Sequence, residues 1–400
     1  MIDRTTRLVL SSGVLLCGMA CARPDQIAVQ VRERDEIVLA VSIRDDAPPD
    51  GEPAVTALTV EVNGRPAHDL LIVPGSGQTR YDTLVGPLPA GRHTIAVRPS
   101  ARWPSHGAIR ATGISARTVN AGSPDYDLLR LAPVIVLRPD TVGVLNDLPM
   151  ILYAEDRRSG GAGPIGYTTI FTNEDGGTET PALFARWGRA CDIELIYEAT
   201  LDAGGPIASD TYQGPDHKVL PFNGRRIGDH PVLIVATRNN MVRDAPVPER
   251  PDDTTPVMVR PVPVVVKPDA GTREAILDAR PWLHRLTFRE LRAEGKRFDP
   301  RDYVYLEARL RLADAAVSAW VTLSDGGKAS SDLGDSKLRV ERDGWVRVAV
   351  RSPRDAHVTS AGWNCFDRAR PRKLCDVAPA KVFRLSDDFS VQPVEVPVTP

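Results

Sequence analysis

The chain lacks a large net charge of either sign. Fifty lysine and arginine side chains oppose 52 aspartate and glutamate side chains, which leaves a formal net charge of −2 over 400 residues. A balanced surface produces no long-range field that would attract a phosphate backbone or an anionic lipid surface. We therefore expect no nucleic-acid partner and no electrostatic attachment to a membrane.

Cysteine is scarce, with five in the whole chain. Two lie near the beginning, which leaves Cys191, Cys365 and Cys375. Cys365 and Cys375 flank the short segment "FDRARPRKL", which a disulfide could close into a loop. Cys191 is then predicted to be a buried free thiol with a structural role, because no histidine lies close to it in sequence to activate a nucleophile.

Long hydrophobic runs are also rare. One run, residues 8–20, follows two arginines and is too short for a stable membrane span. Its end, "GMAC", resembles the lipobox of bacterial lipoproteins, so residues 1–21 are predicted to be a lipoprotein signal with Cys21 as the lipidated residue. The alternative is an ordinary signal peptide with Cys21 incidental. Both place the mature chain outside the cytoplasm. The lipoprotein signal in addition predicts a location in the cell envelope (outer membrane or periplasm), with membrane contact only through a lipid anchor.

Complete catalytic motifs are missing from the sequence. It contains neither a nucleophile elbow, a phosphate-binding loop nor a paired-histidine zinc motif. Short runs of alternating apolar residues separated by turns begin near residue 26 instead, and they predict an antiparallel β-sandwich over residues 22–120. Within it, "GPLPAGRHTIAVRP" resembles a hairpin of the immunoglobulin-like accessory modules of secreted bacterial proteins.

The rest of the chain is predicted to be β-rich as well. The turn formers "NAGSPD" indicate a boundary before a second β-sandwich, residues 124–268. This unit ends in a proline-rich stretch expected at a sheet edge, a crossing or a linker. Residues 269–385 contain one helical segment and further strands that would complete the same domain, and residues 386–400 are expected to be an unstructured tail. The predicted fold is mainly β, an immunoglobulin-like sandwich followed by a larger sandwich with one helical segment.

The segment "GRACDIELIYEATLD", residues 188–202, carries several acidic residues in a stretch predicted to be a β-strand. In an extended strand Asp192, Glu194 and Glu198 would share one face. Such carboxylates could ligate a hard cation if neighbours such as Glu174 or Asp175 supplied more oxygens. The alternative is the ordinary polar face of an antiparallel sheet.

The order of segments over residues 128–243 resembles a β-sandwich group that includes the necrosis-inducing proteins and the vacuolar protein sorting 62 family. The matching strands are "LAPVIVLRPD", "GYTTIFTNED" and "HPVLIVATRNN". The group's heptapeptide Gly-His-Arg-His-Asp-Trp-Glu corresponds here to "GRACDIE". The resemblance implies a concave site in which Asp192 and Glu194 hold a divalent cation for recognition of a sugar headgroup.

Four of the seven heptapeptide positions differ, and one difference bears on the cation. Arg189 stands where the group has a ligating histidine, and a guanidinium cannot ligate a metal ion. We therefore expect Arg189 to pair with Asp192 and Glu194 in place of a cation, so that no cofactor is needed. Asn239 and Asn240 stand at the group's later histidine motif, where their amide oxygens could contact a cation or a sugar hydroxyl.

A second concentration of polar and aromatic residues lies between residues 212 and 230. Tyr212, His217, Arg225 and His230 have the composition of a loop that recognises carbohydrates or carboxylates. The alternative is a connecting loop with structural arginines.

These features predict non-catalytic binding of a glycan or other envelope material, in a cleft between residues 188–194, 212–230 and 239–240. A second hypothesis is a polysaccharide hydrolase or lyase in which His217 or His230 serves as the base. A third is a purely structural envelope protein. The sequence leaves the oligomeric state open.

Overall fold

A computed structural model describes residues 25–400, apart from residues 34, 49–53, 106–108, 245–255 and 369. The predicted signal, including Cys21, lies outside the described residues, as does the first part of the proline-rich stretch. Among the helices that are described, none is both long and apolar enough to cross a membrane.

Seven strands form the N-terminal sandwich. One sheet has the order β5-β2-β7, and β1-β6-β3-β4 belong to the other. Alternating apolar side chains of both sheets meet in one core that includes Ile37, Val60 and Ile95. The strands are β1 (Gln26–Val31), β2 (Asp35–Asp45), β3 (Thr56–Val62), β4 (Arg65–Ile72), β5 (Arg80–Leu88), β6 (Gly91–Pro99) and β7 (Ile109–Val119).

The second unit is built around a six-stranded sheet and carries two helices. The helices are α1 (Tyr126–Arg130) and α2 (Thr180–Trp187). The strands are β8 (Val134–Val136), β9 (Pro149–Asp156), β10 (Gly163–Phe171), β11 (Asp192–Leu201), β12 (Ile207–Gln213), β13 (Val219–Pro221), β14 (Arg226–Ile227), β15 (His230–Val235), β16 (Val242–Arg243), β17 (Met258–Val259) and β18 (Val264–Val266). The six-stranded sheet has the order β13-β12-β11-β10-β9-β18.

One sheet runs from the N-terminal sandwich into the second unit. Strand β17 pairs with β4 on one side and with β8 on the other, and β8 pairs with β15. The predicted boundary near residue 120 is therefore not a break in this sheet. The proline-rich stretch supplies an interior strand as well as the edge strand β18, because the prolines fall outside the two residues of β17.

The C-terminal part has two helices and a sandwich of its own. The elements are α3 (Ala275–Asp278), α4 (Pro281–Ala293), β19 (Tyr303–Ala313), β20 (Ala315–Leu323), β21 (Lys328–Ser330), β22 (Gly344–Arg351), β23 (Val358–Asp367), β24 (Leu374–Leu385), β25 (Val391–Pro393) and β26 (Val398–Thr399). Sheets β22-β19-β24-β25 and β21-β20-β23-β26 enclose a separate core. The described strands after residue 300 thus pair with one another and do not extend the preceding sheets.

The mainly β fold is confirmed, and two details differ from the prediction. The described residues contain four helices, because Pro281 divides the predicted helical segment into α3 and α4 and because the short helices α1 and α2 were not predicted. Residues 386–400 are not an unstructured tail, because β25 pairs with β24 and β26 pairs with β23. Alternate valines of the tail, Val394, Val396 and Val398, pack against the C-terminal core.

The cysteines are placed as the sequence predicts. Cys365 and Cys375 form a disulfide between β23 and β24, which belong to different sheets of the C-terminal sandwich. Cys191 is a free, buried cysteine, and burial raises the pKa of its thiol to about 12. A thiol that stays protonated at neutral pH is a poor nucleophile, which fits a structural role.

Replacement of both disulfide cysteines by serine should lower the free energy of unfolding by about 2–3 kcal/mol, because the bridge closes a short loop in the unfolded chain. Denaturant unfolding of the Cys365→Ser/Cys375→Ser variant, followed by tryptophan fluorescence, measures the loss. Wild type treated with dithiothreitol should match the variant. Equal stability of oxidised wild type and variant would contradict this expectation.

Candidate functional site

A tight helix-to-strand turn positions the acid-bearing strand. Gly188 ends α2 in the left-handed region at φ 57°. A Cβ at this position would lie 2.6 Å from Cγ of Arg347, so the turn requires glycine. The segment "GRACDIE" therefore connects α2 to β11, and Asp192 is the first residue of the strand.

A β-bulge divides the predicted row of acids. Asp192 and Glu194 pair in register with β10, but the register shifts between Tyr167 and Thr168. Beyond the shift Glu198 falls on the opposite face, where it forms an ion pair of 2.5 Å with Arg157. The prediction that Glu198 shares a face with Asp192 and Glu194 is therefore wrong.

Asp192 and Glu194 form a buried pair of carboxyl groups. Asp192 is 1% exposed, and its Oδ2 accepts a hydrogen bond of 3.0 Å from Nδ2 of Asn240. A hydrogen bond joins the two carboxyl groups, and burial together with the charge of Asp192 raises the pKa of Glu194 to about 9. At neutral pH Glu194 is therefore protonated, and its hydroxyl group donates the hydrogen bond to Asp192.

Gln213 and His217 cover this pair on the solvent side. Nε2 of Gln213 donates to Oε2 of Glu194 at 2.7 Å and to Nδ1 of His217 at 3.0 Å. The His217 side chain is 61% exposed, and its Nδ1 lies 3.9 Å from Oε2 of Glu194. We refer to Asp192, Glu194, Gln213, His217 and Asn240 as the acid–amide site.

The backbone around His217 is held in an uncommon conformation. Asp216 and His217 both have positive φ angles, 59° and 56°. Neither residue is glycine, so each position carries a conformational cost that the surrounding structure must offset. This turn after β12 places the imidazole beside Glu194.

A third acid lies behind the pair. Glu174 follows β10 and is 8% exposed, and burial with the charge of Asp192 raises its pKa to about 7. Its Oε1 accepts a hydrogen bond of 2.7 Å from the backbone amide of Thr178. A Cβ at Gly177 would lie 2.1 Å from this Oε1 and 2.9 Å from Cβ of Asn239. Glu174 and Asn239 therefore both pack against Gly177 and lie close to each other.

Arg189 does not pair with the two acids as the sequence predicts. Its Nε donates to the Cys191 carbonyl oxygen at 3.0 Å, and its Nη1 forms an ion pair with the buried Glu274. The turn after α2 directs the guanidinium toward the start of α3. From there its charge still lowers the pKa of Asp192 and Glu194, although burial raises the pKa of both more strongly.

His230, a candidate binding residue and one of the two candidate bases, is not accessible to a ligand. It is fully buried, where its ring nitrogens bond to the Ala132 carbonyl oxygen at 2.8 Å and to Oε2 of Glu36 at 3.0 Å. Because Glu36 belongs to β2, the imidazole links the N-terminal sandwich to the second unit and has no path to a substrate.

The structure brings some of the predicted site residues together and places others apart. The structure brings Asp192, Glu194, His217 and Asn240 together, with Asn239 close by. Tyr212 is buried, with its hydroxyl beside Asp244. Arg225 is exposed, and no hydrogen bond or ion pair within the described ranges joins its side chain to the acid pair.

Gln213 is the member of the site that sequence reasoning missed. It carries no charge and belongs to no motif, and its role follows from the pairing of β12 with β11.

Comparisons of the sequence with protein-family models and with curated proteins found no match.

Proposed function

We propose that the chain binds a hydroxyl-rich ligand, such as a glycan of the cell envelope, at the acid–amide site. The observation that carries the proposal is the buried Asp192–Glu194 carboxyl pair, covered by Gln213 and by the exposed His217. The Glu194 carboxyl group and the Gln213 carbonyl oxygen can accept hydrogen bonds from a ligand, and Nε2 of His217 can donate one. Vicinal sugar hydroxyls both donate and accept, which matches this arrangement.

The hydrogen bond between Gln213 and His217 supports recognition of neutral hydroxyls. Nδ1 of His217 accepts from the Gln213 side-chain amide. The N–H of the ring then lies on Nε2, where it can donate to a ligand oxygen.

The arrangement of the acids favours binding over glycosidic cleavage. Asp192 and Glu194 project from one wall as neighbours on β11 and bond to each other. The two carboxyl groups of a glycosidase instead flank the scissile bond, about 5 Å or more apart. An extracytoplasmic location is part of the proposal, and the Cys365–Cys375 disulfide supports an oxidising compartment.

One observation favours catalysis as a second candidate. A carboxyl group whose pKa is about 9 lies 3.9 Å from an exposed imidazole, which is an acid and a base side by side. A lyase or hydrolase acting on a polysaccharide could use Glu194 as the acid and His217 as the base, provided that the Gln213 amide releases Nδ1 of His217.

Glycan arrays and calorimetric titration with envelope polysaccharides test the proposal on the mature chain. Gln213→Ala and His217→Ala should each weaken binding about tenfold, the effect of one lost hydrogen bond. Arg225→Ala is the control, since Arg225 belongs to the same loop region but lies outside the site, and its affinity should equal that of wild type.

Two results would contradict the binding proposal: no glycan bound by wild type, or equal losses in Arg225→Ala and His217→Ala. Release of new reducing or unsaturated ends by wild type, abolished in His217→Ala, would establish the catalytic candidate instead.

A further inference from the structure

A second group of acids lies apart from the acid–amide site. Asp147, Asp175 and Glu290 each offer an oxygen, and these oxygens all lie within 4.8 Å of one another. The residues come from three segments, the loop before β9, the turn after β10 and helix α4. We call these three residues the carboxylate cluster.

Two oxygens of the cluster are buried and unsatisfied. Asp147 and Glu290 are 2% and 1% exposed. Oδ2 of Asp147 accepts from Nη2 of Arg138 at 2.9 Å, and Oε1 of Glu290 accepts from the Asp147 amide at 2.8 Å. Oδ1 of Asp147 and Oε2 of Glu290 have no hydrogen-bond partner among the described residues. Buried polar atoms without a partner are rare and indicate an ion or water that completes the site.

Arg138, the cation bonded to Asp147, is shared with a second acid. It also pairs with Asp140 at 3.1 Å. Lys296 pairs with the neighbouring Glu294 at 2.6 Å, an acid outside the cluster.

Burial and mutual repulsion make the ionised cluster unfavourable by itself. Asp147 and Glu290 are almost completely removed from water, and their oxygens lie within 4.8 Å of each other and of Asp175. Like charges this close together and this deeply buried need a cation or protons to offset their repulsion.

We propose that Asp147, Asp175 and Glu290 bind a hard divalent cation, Mg²⁺ or Ca²⁺, which joins helix α4 to the end of the six-stranded sheet. Carboxylate oxygens are the ligands that both ions prefer. Asp175 is half-buried, which leaves a side open for entry of the ion and for the waters that complete its coordination. This inference is independent of glycan binding.

The acid–amide site differs from the carboxylate cluster in how its acids are satisfied. Asp192 already accepts from Asn240 and Glu194, and Glu194 accepts from Gln213. Asn173 lies between the two groups. Its backbone carbonyl oxygen accepts from the side-chain amide of Asn240 at 2.9 Å, and its own side-chain amide donates to Glu294 at 3.3 Å. The unsatisfied carboxylate oxygens thus lie on the cluster's side of Asn173.

Thermal unfolding of the full mature chain tests the cation site. After treatment with EDTA and dialysis, addition of millimolar CaCl₂ or MgCl₂ should raise the unfolding midpoint of wild type by about 4 °C or more. Asp147→Asn and Glu290→Gln should abolish this rise. Without cation, Glu290→Gln should unfold close to wild type, because it removes a repelling charge. Asp147→Asn also loses its ion pair with Arg138, so it is compared by its response to the added ion and not by its starting midpoint. Asp175→Asn, at the half-buried position, provides a third variant in case one of the others does not fold.

Two further variants separate the cluster from other acids. Glu198→Gln is the neutral control and should keep the full cation response. Glu194→Gln should keep it as well. The proposal is overturned if wild type shows no response to either ion, if the cluster variants retain it, or if Glu194→Gln abolishes it, since the ion would then bind at the acid–amide site.

Discussion

Arg347→Met is expected to lower the free energy of unfolding by about 3 kcal/mol, the cost of leaving the buried Glu307 without its cationic partner while Asp278 keeps Lys381. Arg347 is 1% exposed. Its Nε donates to Oε1 of Glu307 at 2.7 Å, and its Nη2 lies 3.0 Å from Asp278. The guanidinium also lies over the ring of Phe383, 4.9 Å from its centroid. Methionine fills similar space but satisfies neither acid.

The effect extends beyond the C-terminal sandwich because of where these acids lie. Asp278 is the last residue of α3, and Glu307 also accepts from the Thr272 hydroxyl at 2.8 Å. The stem of Arg347 packs under Gly188, at the turn that leads into β11. Loss of Arg347 should therefore loosen the support of Asp192 as well as the C-terminal core.

Urea unfolding monitored by fluorescence measures the loss. Arg351→Met is the matched control, since Arg351 is exposed on the same strand, and its effect should stay within about 0.5 kcal/mol. Arg347→Lys should fall between wild type and Arg347→Met, because an ammonium group keeps the charge but cannot bridge both acids in the same geometry. Equal stabilities of Arg347→Met and Arg351→Met would show that the buried network contributes nothing.

Glu194→Gln is expected to stabilise the protein at alkaline pH and to have little effect in acid. Burial raises the pKa of Glu194 from 4.5 to about 9 on folding. Its contribution to stability is therefore fully present below pH 4.5 and is lost as the pH rises through 9. Glutamine keeps a hydrogen-bond donor toward Asp192 at every pH, so the variant does not lose this contribution to stability as the pH rises.

The difference between Glu194→Gln and wild type should grow with pH at no more than about 1.4 kcal/mol per unit, and should reach about 2 kcal/mol or more at pH 9. Urea unfolding at pH 5, 7 and 9 measures it. Glu198→Gln should show no such trend, since Glu198 is half-exposed and pairs with Arg157 on the other face. Parallel pH profiles for wild type and Glu194→Gln would refute the shared proton.

The sequence predicts local features of this fold well. Strands follow from alternating apolar residues, and the disulfide follows from two cysteines that flank a short loop. The bulge that moves Glu198 to the other face depends on the register of β11 against β10, which no local pattern contains. Helix α2 is too short for its periodicity to stand out.

Only part of the candidate site was predicted, because its geometry also depends on contacts between segments that are distant along the chain. Asp192 and Glu194 stand out because acids on a strand are conspicuous. His217 and His230 look alike in sequence, and only the packing of β15 against the N-terminal sandwich separates the buried residue from the exposed one. The carboxylate cluster joins three segments that are distant along the chain, so its members carry no shared signal.

The continuous sheet through β4, β17 and β8 determines how the molecule would respond to mechanical load. Tension applied at residue 25 would act first on the β1–β6 ladder, which lies at the end of that sheet. The β4–β17 pairing is a single position, Val259 with Asp69, but the bond between His230 and Glu36 and a common hydrophobic core also join the two units. The N-terminal sandwich would therefore unravel from β1 before its junction with the second unit separated, so the strands around Asp192 would be the later ones to carry the load.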